Sequence, residues 1–138
     1  MAVVLVVDDD ADTREALCRY LRKAGYLADC VSNGRDALVS VLAHPPDVLV
    51  VDLFMPEMDG TYFVEVIRSY LRVQSLPVII WTGAPENHPR LDLARELKVS
   101  DVLIKPVASF LDIRRAIERA LQPPPQHETA FPPSSYLD

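Results

Sequence analysis

Four short apolar runs, each closing on a polar or charged residue, constrain this chain more than anything else in it. VVLVV at residues 3–7 runs into Asp8, Asp9 and Asp10, and VLVV at 48–51 stops at Asp52 before the loop LFMPEMDG. PVIIW at 77–81 runs into Thr82, and VLI at 102–104 ends at Lys105 and Pro106. Continuous apolar runs without alternation suit strands covered on both faces, the pattern of a parallel sheet. Parallel strands share one carboxyl edge, so the carboxylates, the hydroxyl and the ammonium are expected to converge there.

The intervening segments supply the crossovers. Residues 11–24 carry Ala16, Leu17, Tyr20, Leu21 and Ala24 at helical spacing, with Asp10 or Asp12 placed to cap the start and Gly25 to end it. A further short strand is expected at 27–31, then Ser32-Asn33-Gly34 turn chemistry and a helix over 35–43 that faces Ala37, Leu38, Val41 and Leu42 inward. Gly60 opens a third helix whose stripe reads as Phe63, Val64, Ile67 and Leu71, ending before Leu76-Pro77. Leu91, Ala94 and Leu97 give a helix over 87–98 a thin apolar face, and the last strand is read over 100–104. Phe110, Ile113, Ile117 and Leu121 mark a final helix over 108–121. The alternation predicts an α/β fold over residues 1–121, a doubly wound five-stranded parallel sheet with five helices, taken here in 2-1-3-4-5, a common order for such sheets. Residues 122–138, with Pro123, Pro124, Pro125, Pro132 and Pro133, read as a Pro-rich flexible or polyproline-like tail.

Composition excludes several function classes. A chain of 138 residues, 49% hydrophobic, can bury the core of one ordinary domain. A net charge of -6 argues against a nucleic-acid-binding face, which needs clustered Lys and Arg. The apolar start lacks a basic leader and is cut off by three aspartates, so it reads as a strand rather than a secretory signal. No run approaches the roughly 18 apolar residues of a membrane span. Cys18 and Cys30 have neither CxxC nor metal-type spacing and read as buried free thiols of a reducing cytoplasm. His44, His88 and His127 lie in Pro-rich or polar turns and read as solvated.

The chemistry is expected at the shared edge. In a 2-1-3-4-5 order the ends of the first and third strands are neighbours, which brings Asp8 and Asp9 to Asp52. At an effective dielectric of about 20, two charges roughly 4 Å apart repel by about 4 kcal/mol, so the cluster needs positive charge. Lys105 supplies one, and a hard divalent cation with oxygen ligands, Mg²⁺, supplies the rest. In that setting Asp52 can act as a carboxylate nucleophile on phosphorus, forming an aspartyl phosphate, while Thr82 and Lys105 contact phosphoryl oxygens. Whether Lys105-Pro106 is cis or trans is open at this stage.

VLVVDDDAD, DLFMPEMDG, Thr82 and LIKP, in that order, resemble the receiver domain of two-component response regulators over about residues 3–121. The resemblance implies a chemotaxis-type, flavodoxin-like receiver in which Asp8 and Asp9 are the acidic metal pair, Asp52 is the phosphoacceptor, Thr82 the switch hydroxyl and Lys105 the lysine. It adds the backbone carbonyl of Phe54 as a metal ligand. It further implies a cytoplasmic phosphoprotein that catalyses only its own phosphoryl transfer and dephosphorylation. Its donor would be a sensor histidine kinase or a histidine phosphotransfer protein, and its output a change of the surface of the fourth helix and fifth strand that regulates a downstream protein. No nucleic-acid or membrane contact is implied, and the chain would be a monomer or a weak phosphorylation-dependent dimer.

Four positions depart from the family pattern. The aromatic usual three residues before the lysine is Val102 here, which leaves Trp81 either as a substitute or as a side chain packed on the sheet flank. Two residues after Asp52 stands Phe54 and two after Thr82 stands Ala84, so neither flank offers a polar group to orient a hydrolytic water, and slow loss of phosphate is expected. Gly83 replaces a frequent Ala and should loosen its loop. Two other readings compete with the switch. One is a receiver-fold interaction module that works without phosphorylation, encouraged by Val102 and Gly83. The other is a metal-dependent phosphohydrolase, disfavoured because Phe54 stands where such enzymes usually carry a second acid. Asp10 and Asp12 read as turn or cap residues, Asp59-Gly60 as loop geometry, and Arg114, Arg115 and Arg119 as a solvated face.

Overall fold

In this computed structural model, which describes residues 1–122, β1 (Val3–Val7) is paired in parallel on both sides, with β2 (Leu27–Val31) and with β3 (Val48–Val51). β3 continues into β4 (Val78–Thr82) and β4 into β5 (Asp101–Ile104), giving one five-stranded parallel sheet in the order β2-β1-β3-β4-β5. The expected architecture and strand order are therefore observed. The expected tail falls, beyond Gln122, outside the described residues.

Five helices complete the fold: α1 (Ala11–Lys23), α2 (Gly34–Ala43), α3 (Gly60–Ser69), α4 (Pro89–Glu96) and α5 (Phe110–Leu121). Strand alternation divides the core in two. Leu5, Val7, Leu49, Val51, Val78 and Ile80 face Ala37, Val41, Phe63, Ile67 and Leu91 of α2, α3 and α4. Val4, Val6, Val48, Val50, Ile79 and Trp81 face Leu17, Leu21, Ile113 and Ile117 of α1 and α5. The three inner strands are buried on both faces, which explains why their sequences show no alternation.

Local chemistry moves several boundaries. α3 stops at Ser69, and Leu71, expected on its buried stripe, is 83% exposed. The Ser69 hydroxyl donates to the Val66 carbonyl and Tyr70 turns extended, while Arg68 donates to the carbonyls of Leu76 and Leu97 and holds the return segment. That segment delivers Val73 and Leu76 to the core in place of Leu71. α4 is shorter than expected because His88 caps it, its Nδ1 accepting the Arg90 N–H at 3.1 Å, with Pro89 at the first helical position. His88 is thus a half-buried cap, not the solvated turn residue expected. α5 begins at Phe110 because Ser109 and Asp112 form a capping box.

The thiols also depart from expectation in part. Both are free, but only Cys18 is buried, while Cys30 on the outer strand β2 is half-buried. They meet between α1 and β2 in one apolar cluster, and burial, with Cys30 beside it, pushes the Cys18 thiol up to about 12. The arginines of α5 lie on an exposed face, where Arg119 pairs with Asp101 of β5 at 2.6 Å and Arg114 with Glu118 at 3.2 Å.

Candidate functional site

The sheet ladder itself places the acidic residues. The Asp52 N–H donates to the Val7 carbonyl at 3.0 Å and the Asp8 N–H to the Val31 carbonyl at 3.2 Å, so the end of β1 is fixed between the ends of β3 and β2. One carboxylate oxygen each from Asp8, Asp9 and Asp52 lies within 4.8 Å of the others, with Asp8 and Asp52 buried and Asp9 exposed. Asp10 lies outside this group. It occupies the N-cap position of α1, where its carboxylate accepts from the Thr13 hydroxyl rather than from the helix backbone.

Lys105 reaches the cluster from the end of β5, where its N–H donates to the Thr82 carbonyl at 2.8 Å. Its Nζ lies 2.7 Å from Asp8 Oδ2 and 3.3 Å from Asp52 Oδ2. Burial works against the ammonium, but hydrogen bonds and charge from Asp8 and Asp52 outweigh it and hold the lysine above its ordinary value. Asp52 goes the other way for a carboxylate. It is 9% exposed, and burial raises it against the attraction of Lys105, with the neighbouring Asp8 charge adding to the rise. The Lys105-Pro106 bond is cis.

Thr82 is buried at the end of β4, and its Oγ1 accepts the Ala84 N–H at 3.3 Å, which leaves the hydroxyl proton free for another acceptor. The Phe54 N–H donates to Asp52 Oδ1 at 3.3 Å. Its ring, 43% exposed, stands edge-on to His88 with centroids 5.3 Å apart. All the sequence-predicted site residues thus lie at one edge of the sheet, as the strand pattern required. Asp59 caps α3 by accepting the Tyr62 N–H at 3.0 Å, in keeping with its reading as loop geometry, and it also pairs with Arg90 of α4.

Two further side chains border the site, Arg14 without a sequence signal and Trp81 singled out by its place next to Thr82. Arg14 Nη1 donates to the Asp8 carbonyl at 2.8 Å across the first turn of α1. Trp81 lies with its ring centroid 4.5 Å from Lys105 Nζ. Register and side-chain direction rule out Trp81 as an occupant of the place left by the missing aromatic. Val102 pairs with Ile80 and packs toward α2, α3 and α4, whereas Trp81 pairs with Leu103 on the α1 and α5 face. Trp81 packs on the sheet flank against α5.

The family model described as "Response regulator receiver domain" matches residues 4–118. The chain belongs to this family. Transcriptional regulatory protein GltR of Pseudomonas aeruginosa is 33% identical over 75% of this chain and 42% of its own length. An uncharacterized 14.6 kDa protein of Leptolyngbya boryana is 33% identical over 96% of this chain and 94% of its own length. Among solved structures, Vibrio cholerae chemotaxis protein CheY4 superposes with a TM-score of 0.81 at 27% identity, over 88% of this chain and 99% of that one. This receiver domain thus spans less than half the length of GltR and nearly all of the Leptolyngbya protein. No helix of the described residues is long and apolar enough to cross a membrane.

Proposed function

We propose that this receiver domain is a phosphorylation-dependent switch that accepts a phosphoryl group on Asp52. The observation that carries the reading is one lysine, 2.7 Å from Asp8 and 3.3 Å from Asp52, shared by two buried carboxylates at neighbouring strand ends. The Asp52 carboxylate oxygen attacks phosphorus of a phosphohistidine on a partner kinase or phosphotransfer protein. The P–N bond breaks and the histidine nitrogen leaves with its electron pair. Lys105 and the Thr82 hydroxyl take up oxygens of the arriving group, and the fixed ladder at the ends of β1, β3 and β4 holds the acceptor in line.

The donor set fits a hard divalent cation. Three carboxylates converge with only oxygen donors among them, and one ammonium does not balance their charge. Asp8, Asp9, Asp52 and the Phe54 backbone carbonyl would hold Mg²⁺, which supplies charge neutralisation at the phosphoryl oxygens. Family membership supports a histidine kinase or histidine phosphotransfer protein as donor, and a downstream protein is the output partner of this reading.

The test is incubation with acetyl phosphate and Mg²⁺, read by intact mass. Wild type should gain one phosphoryl group, and the Asp52→Asn variant none. An unmodified wild type with every donor tried would overturn the reading. It would favour the second one, an interaction module that works without phosphorylation, which Val102 supports because no aromatic stands beside Ile80 on the α4 side of β5.

A further inference from the structure

A lysine that changes partners when a phosphoryl group arrives needs something to aim it, and its movement needs something to receive it. Lys105 has a third neighbour besides its two carboxylates. Its ammonium stands 4.5 Å from the centroid of the Trp81 ring, within the range where the negative face of an indole attracts a cation. Trp81 is 5% exposed, and its Nε1 has no acceptor among the described residues. A buried indole with an unsatisfied N–H is unfavourable as plain filling, since a leucine would pack there without that loss.

The ring is itself wedged between the site and two helices. Phe110, the first residue of α5, meets Trp81 edge-on with centroids 5.9 Å apart and planes at 73°. Phe110 in turn meets Tyr20 of α1 at 5.6 Å. Lys105, Trp81, Phe110 and Tyr20 therefore form a continuous contact path from the carboxylates to the α1 and α5 face. On the opposite face, the position three before the lysine is the short side chain of Val102.

We propose that Trp81 is a positioning residue for Lys105, and that it passes the lysine's displacement on phosphorylation to the start of α5 and to α1 through Phe110 and Tyr20. This rests on Asp52 accepting a phosphoryl group. When that group forms, Lys105 Nζ exchanges its weaker contact, 3.3 Å to Asp52 Oδ2, for a phosphoryl oxygen. The ammonium shifts over the indole face, and the ring, held edge-on to Phe110, transmits the shift to the first turn of α5. Without the indole, Lys105 keeps its 2.7 Å contact with Asp8 but loses the face that restricts its swing toward Asp52, and fewer encounters find it in place.

The experiment uses the 138-residue chain with Trp81→Leu and Trp81→Phe, each first shown by circular dichroism and urea unfolding to be folded. Two quantities are measured: the rate of phosphorylation by acetyl phosphate at saturating Mg²⁺ together with the Mg²⁺ half-saturation point, and amide hydrogen exchange over residues 109–113 with and without beryllofluoride and Mg²⁺. Trp81→Leu should slow phosphorylation about tenfold with Mg²⁺ half-saturation unchanged, and Trp81→Phe should recover most of the rate because it keeps an aromatic face. Beryllofluoride should alter exchange over residues 109–113 in wild type and not in Trp81→Leu. The proposal alone is overturned if wild type is phosphorylated but Trp81→Leu matches it in rate and in exchange response. If wild type takes no phosphoryl group and shows no beryllofluoride response, the switch reading itself falls and takes this inference with it.

Discussion

A methyl group placed on Gly60 would lie 2.3 Å from the carbonyl oxygen of Asp52 and 2.9 Å from the Leu53 Cα. The Gly60 N–H also donates to the Leu53 carbonyl at 2.8 Å. The start of α3 is therefore seated directly on the backbone that carries the acceptor carboxylate. Gly60→Ala has only backbone to push against and should destabilise the fold by about 2–3 kcal/mol. It should also slow phosphorylation, since Asp52 moves with its carbonyl. Urea unfolding checks the first effect, and an unaltered midpoint would mean that the contact relaxes at no cost.

Asp52→Asn should make the metal-free protein more stable at neutral pH. Burial raises Asp52 above its ordinary 3.8, so between that value and the raised one the folded state keeps a proton that the unfolded chain has lost. Stability without Mg²⁺ thus falls as pH rises through the window, and the asparagine removes that slope. Mg²⁺ should raise the melting temperature of wild type and have little effect on the variant. Melting curves at several pH values, with Mg²⁺ and with chelator, decide the matter; a variant less stable than wild type in chelator would contradict it.

Phosphate should leave Asp52 slowly. Phe54 presents an aromatic ring, backed by His88, where a polar side chain could orient water, and the buried Ala84 offers none either. Phe54→Gln should therefore shorten the lifetime of the aspartyl phosphate, by about tenfold if water positioning limits the rate. Following the phosphorylated mass after donor removal tests this, and a half-life of seconds in the unmutated protein would speak against it.

Gly83→Ala should stabilise the chain by about 0.4–1 kcal/mol, because a Cβ there meets nothing within 4 Å and the backbone needs no left-handed conformation. The gain comes from the unfolded chain, whose freedom the methyl group reduces. The expectation that Gly83 loosens the Thr82 loop is tested by the same variant, through hydrogen exchange at Ala84, whose N–H donates to Thr82 Oγ1. Faster exchange at Ala84 in the variant would reverse the conclusion.

Legibility differed between the sheet and its surroundings. Apolar runs that end in Asp8, Asp52, Thr82 and Lys105 report both their burial and their exit, because burial on two faces leaves no room for polar residues until the strand emerges. Helix ends were harder to place. Leu71 fits the spacing of α3 as well as Ile67 does, and only the carbonyl contacts of Arg68 reveal that the chain has already turned away. The capping role of His88 had a signal, Pro89 at the first helical position, that the Pro-rich surroundings obscured.

Fold class and the placing of Asp8, Asp9, Asp52, Thr82 and Lys105 on one edge were determined by the one-dimensional pattern, since strands that all run parallel end on the same side of the sheet, while which strands are neighbours is a property of the assembled sheet. The tertiary structure alone decided which face each strand residue serves in contact. Trp81 went beneath Lys105 and against α5, away from Val102, because register and packing between distant segments fix side-chain neighbours that no local spacing encodes.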